Sequence, residues 1–187
     1  ELVVTHIAVS DLNKDRPGLD TQTVLTDKPS EVIENNEVDL VVELMGGLLP
    51  ARDLVKAALE KNKPVITANK ELLSKEGKYL FMLAGERNVD LLFEAAVAGG
   101  IPLIRVLRES LLGEPVEKIM GIVNGTTNYI LSQMEENGMP YSEALLEAQK
   151  LGYAESDPTA DVSGQDAASK AAIIAMVAFG ADVSLDD

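Results

Sequence analysis

The segment VDLVVELMGG, residues 38–47, is the stretch that most strongly indicates the fold. It is a short, nearly continuous apolar run that ends in two glycines. Such runs are typical of strands in a parallel sheet that is covered on both faces. Similar runs lie at residues 2–9, 64–68 and 89–95. We therefore expect these four segments to form strands of a parallel sheet.

Helical patterns fill the gaps between the apolar runs. They cover residues 28–36, 50–62 and 71–88, and Pro50 suits the first turn of a helix. Strands that alternate with helices of this length predict βαβ units. The sequence therefore predicts a doubly wound α/β sheet in the first part of the chain.

The pattern changes after the glycine pair at residues 99–100, which indicates a second domain of mixed α and β structure. Its predicted elements are a helix over 99–113, a strand over 115–126, and helices over 127–137, 143–151 and 166–180. Ser142 is the predicted cap of the helix that follows it. The predicted domains are therefore residues 1–98 and residues 99–187.

Composition excludes several classes of function. The chain has 187 residues, a formal net charge of −15, no cysteine and one histidine. An acidic protein repels phosphate backbones, so a nucleic-acid partner is not expected. No apolar run is long enough for a transmembrane helix, and we expect no secretory signal and no membrane partner. Acid–base chemistry must then come from Lys, Asp, Glu or Tyr side chains.

The stretch YAESDPTADVSGQDAASKAAI, residues 153–173, is the strongest candidate for a site. It contains four carboxylates, those of Glu155, Asp157, Asp161 and Asp166. Lys170 follows Asp166 by four residues, so the two share one face of a helix. A surface ion pair would contribute little. The helix is apolar beyond Lys170, however, and we expect it to be buried. A lysine beside a carboxylate in that setting can transfer protons.

The remaining carboxylates of this stretch have two interpretations. They form a solvated acidic loop, or they bind a ligand ammonium group or a cation. The loop lacks the spacing and the glycine of an EF-hand, which makes calcium the weaker choice. The pattern alone does not decide between these interpretations.

The carboxyl ends of the predicted strands are the expected ligand edge of a doubly wound sheet. Gly46 and Gly47 would let a flat ligand approach the backbone, and the alternative is a tight turn. Asn69 and Lys70 end another strand. A lysine at a helix N-terminus opposes the helix dipole, which indicates an anionic ligand or cofactor there.

The residues that would bind a dinucleotide do not distinguish NAD from NADP. The usual G-x-G-x-x-G loop is missing. Asp11 follows an early strand, where an acidic residue would bind an adenine ribose, although a turn aspartate is the alternative. Lys14 and Arg16 would tolerate a ribose phosphate instead. NAD and NADP are therefore both possible cofactors.

Five motifs together resemble one family. They are VVELMGG, TANKELLS, FEAAVAGGIPLI, GIVNGTTNYIL and LGYAESDPTADVSGQDAASKAAI. In this order and spacing they resemble homoserine dehydrogenases over nearly the whole chain. That family reduces L-aspartate 4-semialdehyde to L-homoserine with NAD(P)H, on the path to threonine and methionine. The resemblance implies an internal fragment of a cytoplasmic homodimer. Its Rossmann-like sheet, without the glycine loop, would precede part of an α+β substrate and dimerisation domain.

The resemblance also implies roles for individual residues. Lys170 would be the proton donor to the carbonyl oxygen, with Asp166 as its partner and Lys70 beside the nicotinamide and the substrate. The implied substrate-binding residues are Glu155 and Asp161, for the ammonium group, and Thr126 and Tyr153. The implied cofactor-binding residues are Gly46, Gly47, Asn69, Lys70 and Asp11. A sodium site would take oxygens from Glu94, Val97, Gly99 and Ile101.

Two rival functions compete with this interpretation. One is another NAD(P)-linked oxidoreductase that acts on a small amino acid or semialdehyde. The other is a non-catalytic module that binds an amino acid or a cation on the same fold. Substitution of Lys170 distinguishes an enzyme from a binding module. An enzyme would lose turnover but would still bind homoserine.

Overall fold

The computed structural model describes residues 2–185 and divides the chain into two compact units. They are Glu1–Phe93 and Glu94–Asp187. None of the helices among the described residues is both long and apolar enough to span a membrane.

The first unit consists of short parallel strands and three helices. The strands are β1 (His6–Ala8), β2 (Val24–Thr26), β3 (Val41–Glu43), β4 (Val65–Thr67) and β5 (Leu91–Leu92). The helices are α1 (Pro29–Glu34), α2 (Ala51–Glu60) and α3 (Lys70–Arg87). β1 pairs with β2, and β3, β4 and β5 form a second parallel sheet in that order. The predicted parallel α/β architecture is confirmed.

Apolar packing against the second sheet explains why these segments fold. Val55 and Leu59 of α2, Val65 of β4, and Leu72 and Leu80 of α3 are almost completely buried. Each such side chain contributes about 1.5–3 kcal/mol of hydrophobic stabilisation. The apolar runs that the sequence shows are therefore the core of this unit.

The strands differ from the prediction in number and length. β2 was not predicted, because its three residues show neither an apolar run nor alternation over a useful length. The first apolar run pairs only from His6 onward, and Leu2, Val3 and Val4 before it are exposed. Hydrogen-bonded pairing thus covers only part of each apolar run.

The regular elements of the second unit, within residues 94–185, are all helical. After a 3₁₀ turn (Glu94–Ala96) and a π-helical turn (Val106–Ser110) come α4 (Gly125–Asn137), α5 (Tyr141–Lys150), α6 (Thr159–Val162) and α7 (Gln165–Phe179). α4 and α5 pack around Ile130, Ala144 and Ala148, with Ala154 of the following loop. This packing confirms the predicted helices in that region, and α6 is an addition that the sequence did not indicate.

Two predicted elements of the second unit are wrong. The strand over 115–126 does not form, and Met120 and Ile122 within it are exposed. The residues described in this unit offer no second strand, and an unpaired strand is not stable alone. The helix over 99–113 begins only at residue 104, because Ala98 and Gly99 take positive φ and Pro102 follows them. The α5 cap is also different, since Pro140 and not Ser142 precedes the helix.

Candidate functional site

Lys170 and Asp166 form a close ion pair on α7. Lys170 Nζ lies 2.6 Å from Asp166 Oδ2 and also donates to the carbonyl of Val123 at 2.6 Å. Only 4% of the Asp166 side chain and 18% of the Lys170 side chain are exposed. These bonds use two of the three ammonium donors. A shielded lysine held in this way is well placed to exchange a proton with a ligand.

Asn124 joins this pair to a second carboxylate. Its Nδ2 lies 2.9 Å from Asp166 Oδ2 and 2.7 Å from Asp161 Oδ1. Its Oδ1 accepts from both the backbone N–H and the hydroxyl of Thr127, which makes Asn124 the N-cap of α4. Asn124 was not among the site residues predicted from the sequence. The signal that could have found it is an asparagine directly before a helical run.

Thr126 and Tyr153 lie next to each other. The Thr126 hydroxyl donates to the Tyr153 carbonyl at 2.6 Å, and Thr126 is buried. The exposed Tyr153 ring packs against Tyr129, with ring centroids 4.8 Å apart. Desolvation, reinforced by the Glu147 carboxylate, raises the pKa of Tyr129. The Tyr129 phenol therefore stays protonated at neutral pH.

The four carboxylates of the acidic stretch do not act as one cluster. Asp161 and Asp166 meet at Asn124. Asp157 instead accepts from the backbone N–H and the hydroxyl of Thr159, and these bonds lower the pKa of Asp157. Glu155 is exposed, and within residues 2–185 its carboxylate makes no hydrogen bond or ion pair. Its side chain is therefore accessible to a ligand.

A buried carboxylate organises the carboxyl end of β3 in the first unit. Glu43 is only 5% exposed. Its Oε1 accepts from the backbone N–H groups of Met45 and Gly46, and its Oε2 accepts from the Thr67 hydroxyl at 2.5 Å. Glu43 was not among the site residues predicted from the sequence, because a single acid in an apolar run gives no sign of its long-range partner.

Asn69 continues this network to the start of α3. Its side chain donates to the Gly47 carbonyl at 2.7 Å and accepts from the Leu72 N–H as the helix N-cap. Gly46 and Gly47 have φ of +75° and +70°, which favours glycine, and no heavy atom lies within 4 Å of where a Cβ would be. Lys70 is exposed at the first position of α3. The glycine backbone after β3 is therefore open to a ligand, and the cofactor-binding roles of Gly46, Gly47, Asn69 and Lys70 stay predictions.

Asp11 makes the contacts of a turn residue. Its Oδ1 accepts from the Asn13 N–H at 2.8 Å. The Arg16 guanidinium donates to the carbonyls of Asp11 and Lys14 at 2.8 and 2.7 Å. Asp11 is exposed and Arg16 is half-buried. The geometry therefore leaves the ribose-binding role of Asp11 a prediction.

Glu94 faces backbone donors. Its carboxylate accepts from the N–H groups of Leu103, Ile104 and Arg105 at 2.7–2.8 Å. It therefore holds the start of the helical turn that follows. No cluster of three or more acidic or histidine side chains in the described range could hold a metal ion. The predicted sodium site, which includes Glu94, stays a prediction.

Comparison with protein families gives two matches that together cover most of the chain. Residues 1–94 match a family described as the NAD binding domain of homoserine dehydrogenase. Residues 102–187 match a family described as homoserine dehydrogenase.

Individual proteins give the same result. The homoserine dehydrogenase of Corynebacterium glutamicum is 52% identical over 186 residues, which is 100% of this chain and 42% of that protein. A homoserine dehydrogenase structure from Thiobacillus denitrificans is 46% identical with a TM-score of 0.89, over 97% of this chain and 42% of that one. A hyperthermophilic archaeal homoserine dehydrogenase in complex with NADPH is 37% identical with a TM-score of 0.76, over 82% of this chain and 48% of that one. The chain spans about two fifths of the length of the curated relative.

Proposed function

This chain belongs to the homoserine dehydrogenase family, and on that premise we propose that its protein interconverts L-aspartate 4-semialdehyde and L-homoserine with a nicotinamide cofactor. The observation that supports this most strongly is the shielded pair of Lys170 and Asp166, linked through Asn124 to Asp161. The direct test is homoserine-dependent reduction of NAD⁺ or NADP⁺.

Lys170 handles the proton of the reaction. When bound, the nicotinamide supplies the hydride in one direction and accepts it in the other. In the direction of reduction, the substrate carbonyl oxygen takes a proton from Lys170 Nζ as its carbon gains the hydride. In oxidation the proton returns from the hydroxyl to Nζ. The Asp166 carboxylate at 2.6 Å holds the lysine in place. Such a positioned acid contributes about 10²–10⁴-fold in rate.

The acidic stretch recognises the amino-acid part of the substrate. Glu155 and Asp161 bind its ammonium group in this proposal, and Thr126 and Tyr153 line the same pocket. The exposed Glu155 carboxylate and the half-buried Asp161 provide the negative charge. A buried or shielded ammonium needs such partners, because leaving it unpaired is costly.

The first unit binds the cofactor in this proposal. The open backbone of Gly46 and Gly47, held by Asn69, would contact the nicotinamide, and Lys70 would lie beside it. Asp11 would contact the adenine ribose, and NAD and NADP remain alternatives. The cofactor-binding and substrate-binding parts would be residues 1–98 and 99–187.

Finer properties follow from the family alone. They are a place in threonine and methionine biosynthesis, a cytoplasmic location and a homodimer. A sodium ion bound by oxygens of Glu94, Val97, Gly99 and Ile101 also remains a prediction from the resemblance. None of these enters the mechanism above.

Replacing Glu155 by leucine is expected to weaken homoserine binding. The substrate ammonium loses one of its two carboxylate partners, and a hydrogen bond to a charged group is worth about 1.5–3 kcal/mol, or about 10–100-fold in KM. Steady-state kinetics on the complete protein that contains residues 1–187 measure the change. Glu136→Leu, an exposed site on α4, is the matched control and should leave KM unchanged. An unaltered KM in Glu155→Leu would remove Glu155 from the pocket.

A further inference from the structure

Asn124 contacts the carboxylates of Asp161 and Asp166. The proposed function gives these two groups different roles, substrate binding and proton transfer. Its amide nitrogen lies 2.7 Å from Asp161, the predicted ammonium ligand, and 2.9 Å from Asp166, the partner of Lys170. Asn124 is 7% exposed, so these bonds are shielded from water. We infer that Asn124 is a positioning residue that fixes the substrate-binding carboxylate and the proton-transfer pair relative to each other. This inference rests on the proposed function.

The hydrogen-bond partners allow only one orientation of this amide. The carboxylates of Asp161 and Asp166 can only accept hydrogen bonds, and the backbone N–H of Thr127 can only donate. The NH₂ group must therefore face the carboxylates, and the carbonyl oxygen must face Thr127. An asparagine side chain satisfies all of these partners at once, whereas an aspartate or a serine cannot.

The Asn124 amide also reduces the electrostatic repulsion between the carboxylates of Asp161 and Asp166. Asp161 lies on α6 and Asp166 on α7, and both place an oxygen within 3 Å of the same nitrogen. Two like charges that both lie this close to one atom repel each other, and more strongly where water is partly excluded. Two N–H groups between them replace that repulsion with two hydrogen bonds to charged acceptors, which are the stronger kind.

The neighbouring peptide strengthens the same arrangement. Lys170 donates to the carbonyl of Val123, the residue before Asn124. The start of α4 therefore binds Lys170 through its backbone and Asp166 through a side chain. A shift of this segment would move the ammonium group, its carboxylate partner and Asp161 together. Asn124 is thus expected to influence both substrate affinity and turnover.

A purely structural role for Asn124 is the rival explanation, because the residue is also the N-cap of α4. Serine and alanine separate the two roles. Serine keeps a capping oxygen but cannot donate to both carboxylates, whereas alanine loses the cap and the donors together. Capping alone predicts that Asn124→Ser behaves like the wild type. A positioning role predicts that both variants have a changed KM and kcat, and that Asn124→Ala is the less stable of the two.

The experiment measures kcat and KM for homoserine, together with Tm, on the complete protein and on its Asn124→Ser and Asn124→Ala variants. We expect both variants to raise KM and lower kcat by about tenfold each. Asn124→Ala should also have a lower Tm than Asn124→Ser, because it loses the helix cap as well as the donors. Wild-type KM and kcat in Asn124→Ser would overturn the inference.

A second variant applies if Asn124→Ser does not fold. Asn124→Asp keeps the size and the capping oxygen but turns a third carboxylate toward Asp161 and Asp166. We expect its KM to rise more than tenfold, and a wild-type KM would again overturn the inference. A wild-type protein that does not turn over homoserine would overturn the proposed function and the inference together. An active wild type with unaffected variants would overturn the inference alone.

Discussion

Replacing Lys170 by alanine is expected to lower kcat for homoserine oxidation by about 10²–10⁴-fold, while the affinity for homoserine stays nearly unchanged. Lys170 Nζ exchanges the proton of the substrate hydroxyl in the proposed mechanism. The ammonium-binding carboxylates remain in the variant. Steady-state kinetics give kcat, and calorimetry with homoserine gives the affinity.

Two controls accompany this substitution. Lys170→Arg keeps the positive charge beside Asp166, which is otherwise left buried without its ion-pair partner. The guanidinium does not deprotonate, so this variant should fold like the wild type and still be slow. Lys150→Ala removes an exposed lysine on α5 and should leave kcat unchanged. Retention of most of kcat in Lys170→Ala would show that another group moves the proton.

Replacing Glu43 by alanine is expected to lower the free energy of unfolding by about 3 kcal/mol or more. The substitution removes three hydrogen bonds to a buried carboxylate and leaves two backbone N–H groups and the Thr67 hydroxyl without their acceptor. Urea unfolding followed by circular dichroism measures the loss. The loop at Gly46 and Gly47 also loses its anchor, so NADPH binding, followed by nicotinamide fluorescence, should weaken.

Two variants test the specificity of this effect. Thr67→Val keeps the shape of the side chain and removes one of the three bonds to Glu43, together with the bond that the Asn69 N–H donates to the Thr67 hydroxyl. Glu43 keeps its other two bonds, so the loss should be smaller. Glu60→Ala removes an exposed carboxylate at the end of α2, 3.9 Å from Lys56, and should have little effect. Unfolding of Glu43→Ala at the same urea concentration as the wild type would show that the buried network is not needed for stability.

Local sequence patterns predicted most of the longer helices well, because a helix depends on residues close together in the chain. α2 and α3 begin and end within one or two residues of their predicted bounds. The predicted strand over 115–126 failed for the opposite reason. A strand needs a partner, and no pattern within the segment shows whether a partner is present.

The same distinction between local and long-range contacts explains which parts of the candidate site were predicted. Lys170 and Asp166 were predicted to meet because they are four residues apart on one helix, and they do meet. Asn124 contacts groups 37 and 42 residues away, and Glu43 contacts a hydroxyl 24 residues away. Such contacts depend on how helices and strands pack, which a single sequence does not reveal. The hydrogen bonds that Glu94 accepts from backbone N–H groups 9–11 residues further along the chain were likewise not predicted.

The most direct test of the proposed function is homoserine-dependent reduction of NADP⁺ and NAD⁺ by the complete protein that contains residues 1–187. The absorbance of the reduced nicotinamide is followed at alkaline pH, with Lys170→Ala alongside. We predict that absorbance rises only when homoserine and one of the two cofactors are both present. With Lys170→Ala, the absorbance should hardly rise. If the wild-type protein binds homoserine but never reduces either cofactor, the proposed activity is wrong. The non-catalytic binding module would then be the better account.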